Sequence, residues 1–421
     1  MLIDQDDLQS DSTSVLPVDL SEPLAPDPPN RWLKSLIILS VELLLTLPLG
    51  FGLANLHIGG TAWILSGVVA GVLVLQAYRL RFRRDRQPNP SVRKVGQALV
   101  GMMIGFAIAN SDLAQVATHF PIFVLLTLLL LFSGAGIGYL YARLSRTNLL
   151  TALLATVPGG VSIMSSFAAD YGRNVALVSL VQVMRVTSVV ILIPLLARAT
   201  AARSASPPPP VPAAWINLAP APLGLLAIAL LFAGIGSMLA IRLKVPSPPF
   251  FGALLAGIAF HPLLDSLPFV PDFSFSPPLL VNIVGQSLLG ITIGEYWGNK
   301  PQIQKQMIGY ALLSVSLTIA TGFLAALLAF YLTDWDWLTC MLVTAPGGAP
   351  EMIVVALTLN HDIETITAAH LVRLIAINSL LPLWILLFRF EVVEGESSAT
   401  GLDSAVELKS PSVDEDSTYV R

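Results

Sequence analysis

Two short runs carry residue types from which a binding site can be built: Thr156–Gly160, TVPGG, and Thr344–Gly348, TAPGG, 188 positions later. Each sets a proline and two glycines inside a long apolar stretch, where both residue types weaken a helix. In lipid, the backbone groups freed by such a break are tolerated only where protein or a water-filled cavity satisfies them. Glycine allows the tight turn and lets a ligand approach the main chain. A fresh half-helix is then expected from about Ser162 and from about Pro350, since serine caps helix starts and proline suits a first turn. A helix start offers free N–H groups and the positive end of the dipole, which suits an anion. Thr156, Pro158, Gly159, Gly160 and Ser162, with Thr344, Pro346, Gly347 and Gly348, are therefore candidate solute-binding residues. For either run alone, a Pro/Gly kink that only shapes packing is the competing reading, because membrane helices often carry both residues.

Arg185 and Arg373 share the same offset, each near the middle of the apolar segment after its PGG run. An arginine at a bilayer centre costs at least ~2.5–3.5 kcal/mol on insertion scales, so such residues face the protein interior. Two roles stand open for the pair. They bind a solute carboxylate, or they tie down carbonyls of the broken helix. Gln182 and His370 sit three residues earlier, on the same helical faces. Glu351 follows the second run directly. It either couples the movement of a proton or cation, or complements a half-helix N-terminus. Arg185, Glu351, His370 and Arg373 complete the candidate set. Asp170 and Glu42 are weaker candidates, and Glu42 has no counterpart in the second half. Gln97 and Gln286, in the matched runs VGQALVGMMIG and VGQSLLGITIG, read as scaffold that also offers donors to the broken backbone.

These residues need elements to hold them, and the composition says which. The chain has 421 residues, 54% hydrophobic and 12% charged, against roughly 25% charged for an average soluble protein. Apolar runs of membrane-crossing length recur throughout, giving an all-α, polytopic membrane protein. Net charge is −4, and most of the acid lies in two tails, residues 1–30 and 391–421, which read as disordered. Residues 1–30 hold no Lys or Arg and no apolar core, so a cleavable signal peptide is not expected there. Cys340 is the single cysteine, which excludes an internal disulfide and any Cys-rich metal site.

A Pro-rich linker at 201–217 separates two matching membrane repeats, 31–200 and 218–390. Internal symmetry of this kind marks secondary transporters. Each repeat shows six apolar segments. Lys and Arg mark cytoplasmic loops: residues 79–94 hold seven of them, and the short loops at 143–146, 241–244 and 300–305 are also basic. Loops at 112, 261–272 and 333–337 are acidic or free of basic residues. Corresponding loops thus fall on opposite sides, so the repeats read as inverted, each with five transmembrane helices plus one re-entrant broken helix around its PGG run. The linker then lies outside and both tails inside. Twelve full crossings with parallel repeats are the alternative. The runs GVVAG (67–71), GMMIG (101–105) and GAGIG (134–138) are expected to be helix-packing faces.

The duplicated half with TVPGG, and TAPGG followed by AHLVRL, resembles the AbrB membrane-protein family over about residues 31–390. That family is distinct from the soluble DNA-binding regulators of the same name. Its members carry the labels ammonia monooxygenase and regulator of gene expression, and the resemblance implies a multi-pass protein of the bacterial inner membrane. The re-entrant Gly-Gly arrangement is also similar to that of glutamate and 2-hydroxycarboxylate transporters. A copper monooxygenase needs clustered imidazole ligands, and the five histidines form no close pair on one helix face. No HExxH, P-loop, GxSxG or dinucleotide fingerprint is present. The expected function is secondary transport of a small solute, an anion among the candidates, by alternating access. A membrane sensor or regulator is the alternative, and an ammonia-oxidising enzyme the least favoured reading. No cofactor, metal or nucleic-acid partner is expected. The expected partners are the lipid bilayer and a small-molecule solute, with a coupling ion and a homodimer left open.

Overall fold

Asn89, Asn148 and Asp336 cap helix starts, and the two PGG runs stop the helices that reach them. The computed structural model describes residues 31–55, 61–82, 88–109, 113–201, 219–265, 275–298, 305–359 and 361–380. The tails and residues 202–217 of the linker lie outside these. Among the described residues every regular element is helical. In order they are α1 (Arg31–Asn55), α2 (Ala62–Phe82), α3 (Pro90–Ile108), α4 (Leu113–Thr118), α5 (Phe120–Ser145), α6 (Leu149–Thr156), α7 (Val161–Asp170) and α8 (Val175–Ala201). The second half has α9 (Pro220–Arg242), α10 (Pro248–Asp265), α11 (Leu279–Gly298), α12 (Lys305–Leu332), α13 (Trp337–Thr344), α14 (Ala349–Leu359) and α15 (Ile363–Leu380). Residues 1–40 and 41–421 are separate units. The packing and the cavity described below lie in the second.

Both PGG runs break their helices. α6 ends at Thr156 and α7 begins at Val161, while α13 ends at Thr344 and α14 begins at Ala349. Each restart falls one residue before the position read from the sequence. Gly160 sits at φ 88°, a conformation that side chains rarely adopt. The first half-helices are capped alike. Asn148 accepts from the Leu150 amide at 3.0 Å, and Asp336 accepts from the amides of Leu338 at 3.0 Å and Thr339 at 3.2 Å. α6 and α13 are eight residues each, about 12 Å at 1.5 Å per residue, far short of a ~30 Å hydrocarbon core. α13 and α14 also fold back on one another. Asp336 at the start of α13 meets His361 beyond the end of α14, with Nδ1 and Oδ2 3.5 Å apart.

Nine helices among the described residues are long and apolar enough to cross a bilayer. α10 has a shorter apolar stretch, Pro248–Phe260. Large apolar side chains such as Phe132, Leu231, Met238, Leu324 and Tyr331 face outward, as lipid contact requires. The basic loop is shorter than its sequence suggests. Arg79 and Arg81 close α2, and Arg93 and Lys94 lie at the start of α3, which begins five residues earlier than expected. The short α4 is an addition to the expected elements.

The two halves pack through equivalent pairs: α2 on α11, α10 on α3, α3 on α11 and α5 on α12. Small residues allow the closest approaches. Gly67 and Gly71 of α2 lie against Gly290 and Gly294 of α11, and Gly101 and Gly105 of α3 lie against the Phe250 and Leu254 carbonyls of α10. Trp297 Nε1 donates to Thr187 Oγ1 at 2.8 Å, joining α11 to α8. A Cβ at Gly290 would fall on the backbone carbonyl of Ile64, whereas one at Gly309 meets nothing within 4 Å. Gly290→Ala should therefore lose about 1–3 kcal/mol through overpacking. Gly309→Ala should be neutral or gain up to ~1 kcal/mol. Unfolding temperatures in detergent read both, and equal values would contradict this packing.

Candidate functional site

A helix end leaves its last carbonyls without intrahelical partners. α6 and α13 end in buried surroundings, so those carbonyls need donors from elsewhere. The next long helix of each half supplies them. From α8, Gln182 Nε2 donates to the Leu154 and Val157 carbonyls at 2.8 Å each, and Arg185 Nη1 donates to the Thr156 carbonyl at 3.1 Å. Arg185 Nη2 also donates to Gln182 Oε1 at 2.7 Å. From α15, His370 Nε2 donates to the Leu342 carbonyl at 3.0 Å. Arg373 donates to the Ala345 carbonyl at 2.7 Å and to that of Val343. Leu154 and Leu342 are equivalent positions. A cation at a helix C-terminus also complements the dipole.

Thr156 and Thr344 fasten the same ends sideways. The Thr156 hydroxyl lies 3.0 Å from the Ala152 carbonyl and 3.1 Å from that of Gly134 on α5. Thr344 repeats this with Cys340 at 2.9 Å and Gly322 on α12 at 3.0 Å. With the carbonyl ends secured, the N-termini of α7 and α14 are left to face a common space.

That space is one cavity of about 400 Å³. Pro158, Gly159 and Gly160 line it from the first break, and Gly347, Gly348, Pro350 and Glu351 line it from the second. His370 and Arg373 reach it from α15. Asn89, Arg93, Lys94 and Gln97 reach it from the start of α3, and Ile241 and Ser247–Pro249 from the α9–α10 turn. Among the described residues, three cations, Arg93, Lys94 and Arg373, and one carboxylate, Glu351, thus line it. Arg93 Nη2 lies 3.8 Å from Glu351 Oε1. Gly348 is tightly fitted, since a Cβ there would meet the Glu351 carboxylate. Nearby, Asn89 N donates to Glu295 Oε2 at 3.1 Å, placing a second buried acid on α11 beside the cavity wall.

Not every candidate from the sequence reaches this cavity. Thr156, Thr344 and Arg185 stand behind it as ties, and Pro346 lines a separate apolar crevice against Gly322 and Phe323. Ser162 is the second residue of α7. Gln97 lines the cavity, while Gln286 Nε2 donates to Asn282 Oδ1 at 3.0 Å. Gln182 donates to the broken backbone instead. Asp170 is exposed at the end of α7. Sequence reasoning took Arg93 and Lys94 for loop charges and passed over Asn89 and Glu295. The dipeptide Asn89-Pro90 was the missed signal, because Asn as N-cap with Pro at N1 starts a helix and carries Arg93 inward. Among the described residues no group of three or more His, Cys, Asp or Glu is placed to hold a metal ion.

Comparison with known proteins adds a family. The profile described as "Transition state regulatory protein AbrB" matches residues 63–389. YhjN, an uncharacterized protein of Bacillus subtilis (strain 168), is 33% identical over 299 residues, covering 68% of this chain and 76% of that protein. A protein of Escherichia coli (strain K12) named as a candidate regulator, AbrB, is 27% identical over 337 residues, covering 79% of this chain and 91% of its own. No solved structure matches the chain.

Two outcomes test the ties. Arg185→Met and Arg373→Met each strip donors from a buried helix end, and each carbonyl so orphaned should cost about 1–3 kcal/mol, read as a lowered unfolding temperature. Asp336→Ala should cost about 1 kcal/mol as a lost cap. The His361 imidazole, with the Thr339 hydroxyl and amide, holds the Asp336 carboxyl well below its usual range. The stabilisation is therefore complete above the unfolded-state value and is lost as pH falls towards the folded one. The difference between wild type and Asp336→Ala should hold from neutral pH down to about pH 4 and close below it.

Proposed function

The chain belongs to the AbrB family, and from that premise we propose that it is a secondary transporter of a small anion working by alternating access. The observation that carries this reading is that both PGG breaks, from opposite halves of the chain, line the same cavity. Half-helix N-termini and an excess of positive charge there suit a carboxylate. The matched offsets, the equivalent helix pairings and the folding back of α13 and α14 support two inverted repeats, each of five crossings and one re-entrant segment. The cavity reaches Asn89, Pro90, Arg93 and Lys94, and Ile241 and Ser247–Pro249, at two of the basic segments. Under the positive-inside rule this side is cytoplasmic, and the conformation is inward-facing in an inner membrane.

The regulator names in the family point to a second reading, in which the same cavity senses a solute without passing it on. Flux separates the two. Protein reconstituted into liposomes should take up labelled succinate or a related small carboxylate. Gly348→Leu and Gly159→Leu should abolish uptake while unfolding cooperatively like the wild type. Uptake at the normal rate by these variants would remove the cavity from the transport route. Binding without uptake by the wild type would favour the sensor.

A further inference from the structure

Among the described residues Glu351 is the one acidic residue lining the cavity, and its surroundings are unusual for a buried carboxylate. It occupies the third position of α14 with its side chain 2% exposed. Its contact with Arg93, 3.8 Å, is an ion pair but exceeds the ≈ 2.7–2.9 Å of a charge-assisted hydrogen bond. Its other oxygen, Oε2, is buried without a hydrogen-bond partner. Such a carboxylate is costly unless nearby positive charge compensates it. Arg93 on α3 and the N-terminus of α14 itself supply such charge, and Lys94 and Arg373 line the same cavity.

Resting on the anion reading above, we propose that Glu351 takes up one proton from solution for each anion that enters the cavity. An entering carboxylate that pairs with Arg93 takes the cation that Glu351 is paired with. Two anions sharing one guanidinium repel each other, and a like charge disfavours ionisation of its neighbour. A proton on Glu351 removes the conflict, turns Oε2 or Oε1 into a donor and frees the guanidinium for the solute. By linkage, the proton strengthens anion binding as much as the anion strengthens proton binding. Glu351 is then a built-in rival of the solute, displaced only when protonated, and the solute enters with a proton. Arg93, Lys94 and Arg373 together repel a metal cation at the same place, which favours the proton as the coupling ion.

The other titratable and charged groups around α14 have roles of their own. Arg185 on α8, with His370 and Arg373 on α15, is bonded to backbone carbonyls. Glu295 on α11 accepts from Asn89 N. Tyr296 lines the cavity from α11, and the Cys340 thiol of α13 is directed at the Trp335 carbonyl.

The test uses the full chain in detergent and weak buffer, with succinate as probe. Calorimetry reads binding and a pH indicator reads proton uptake. Wild type should take up close to one proton per succinate bound near neutral pH, and its affinity should rise as pH falls. Glu351→Gln, an uncharged mimic of the protonated acid, should bind succinate at least about tenfold more tightly at neutral pH, within the usual span of coupling energies, and should take up no proton. Equal proton uptake by the two proteins, weaker binding by Glu351→Gln, or a wild-type affinity indifferent to pH would each overturn the proposal. Succinate binding to neither protein would overturn the anion reading beneath it.

Discussion

Backbone carbonyls cannot be left bare in an apolar interior, and the rest of this architecture follows from that constraint. Each break in a membrane-buried helix exposes a set of acceptors at one end and a set of donors at the other. The acceptors are met from within: Gln182 and Arg185 in one half, His370 and Arg373 in the other, with Thr156 and Thr344 fastening the same ends to α5 and α12. The cost of burying two guanidiniums is offset by bonds to carbonyls that would otherwise have none. What remains is asymmetric by design of the helix itself. The negative ends are covered, and the positive ends face the cavity.

This arrangement explains how a duplicated segment yields one site. The close glycine contacts of α2 with α11, and the approach of α3 to α10, hold the two halves together. They bring the two breaks to one space, with the α3 N-terminus as a third wall. That wall contributes Arg93 and Lys94, so the cavity carries more positive charge than the PGG runs alone supply. Arg373 has two duties, binding the Ala345 and Val343 carbonyls and facing the cavity, whereas Arg185 has only the first. The halves are therefore equivalent in scaffold and unequal in chemistry. Glu351 of the second half is paired with Arg93 of the first, and the first half has Ile163 at the position matching Glu351.

Much of this was legible in the sequence, and the reasons are local. Proline with paired glycines ends a helix wherever it stands, so both breaks could be read from composition within one residue. The 188-residue repeat fixed which elements correspond. The role of the arginines was not decidable, because a charge in mid-membrane is equally consistent with a solute contact and a carbonyl tie. Only the distance between α8 and α6, a tertiary quantity, separates them. The same limit hid Arg93. Asn89-Pro90 marks the start of α3, but nothing in residues 79–94 taken alone says that this start leans over Glu351. Glu295 escaped for a similar reason, since its partner Asn89 is 206 positions away.

The central claim is that the two breaks share one cavity reached from the basic side. Single cysteines at Ile163 and at Leu374, one cavity-lining residue from each half, test it in a chain whose native cysteine is replaced by Cys340→Ser. An anionic, membrane-impermeant thiol reagent applied to inside-out and right-side-out vesicles supplies the measurement. Both positions should react from the cytoplasmic face in inside-out vesicles, each protected by the same carboxylate. Reaction of the two from opposite faces, or protection of only one, would contradict the account.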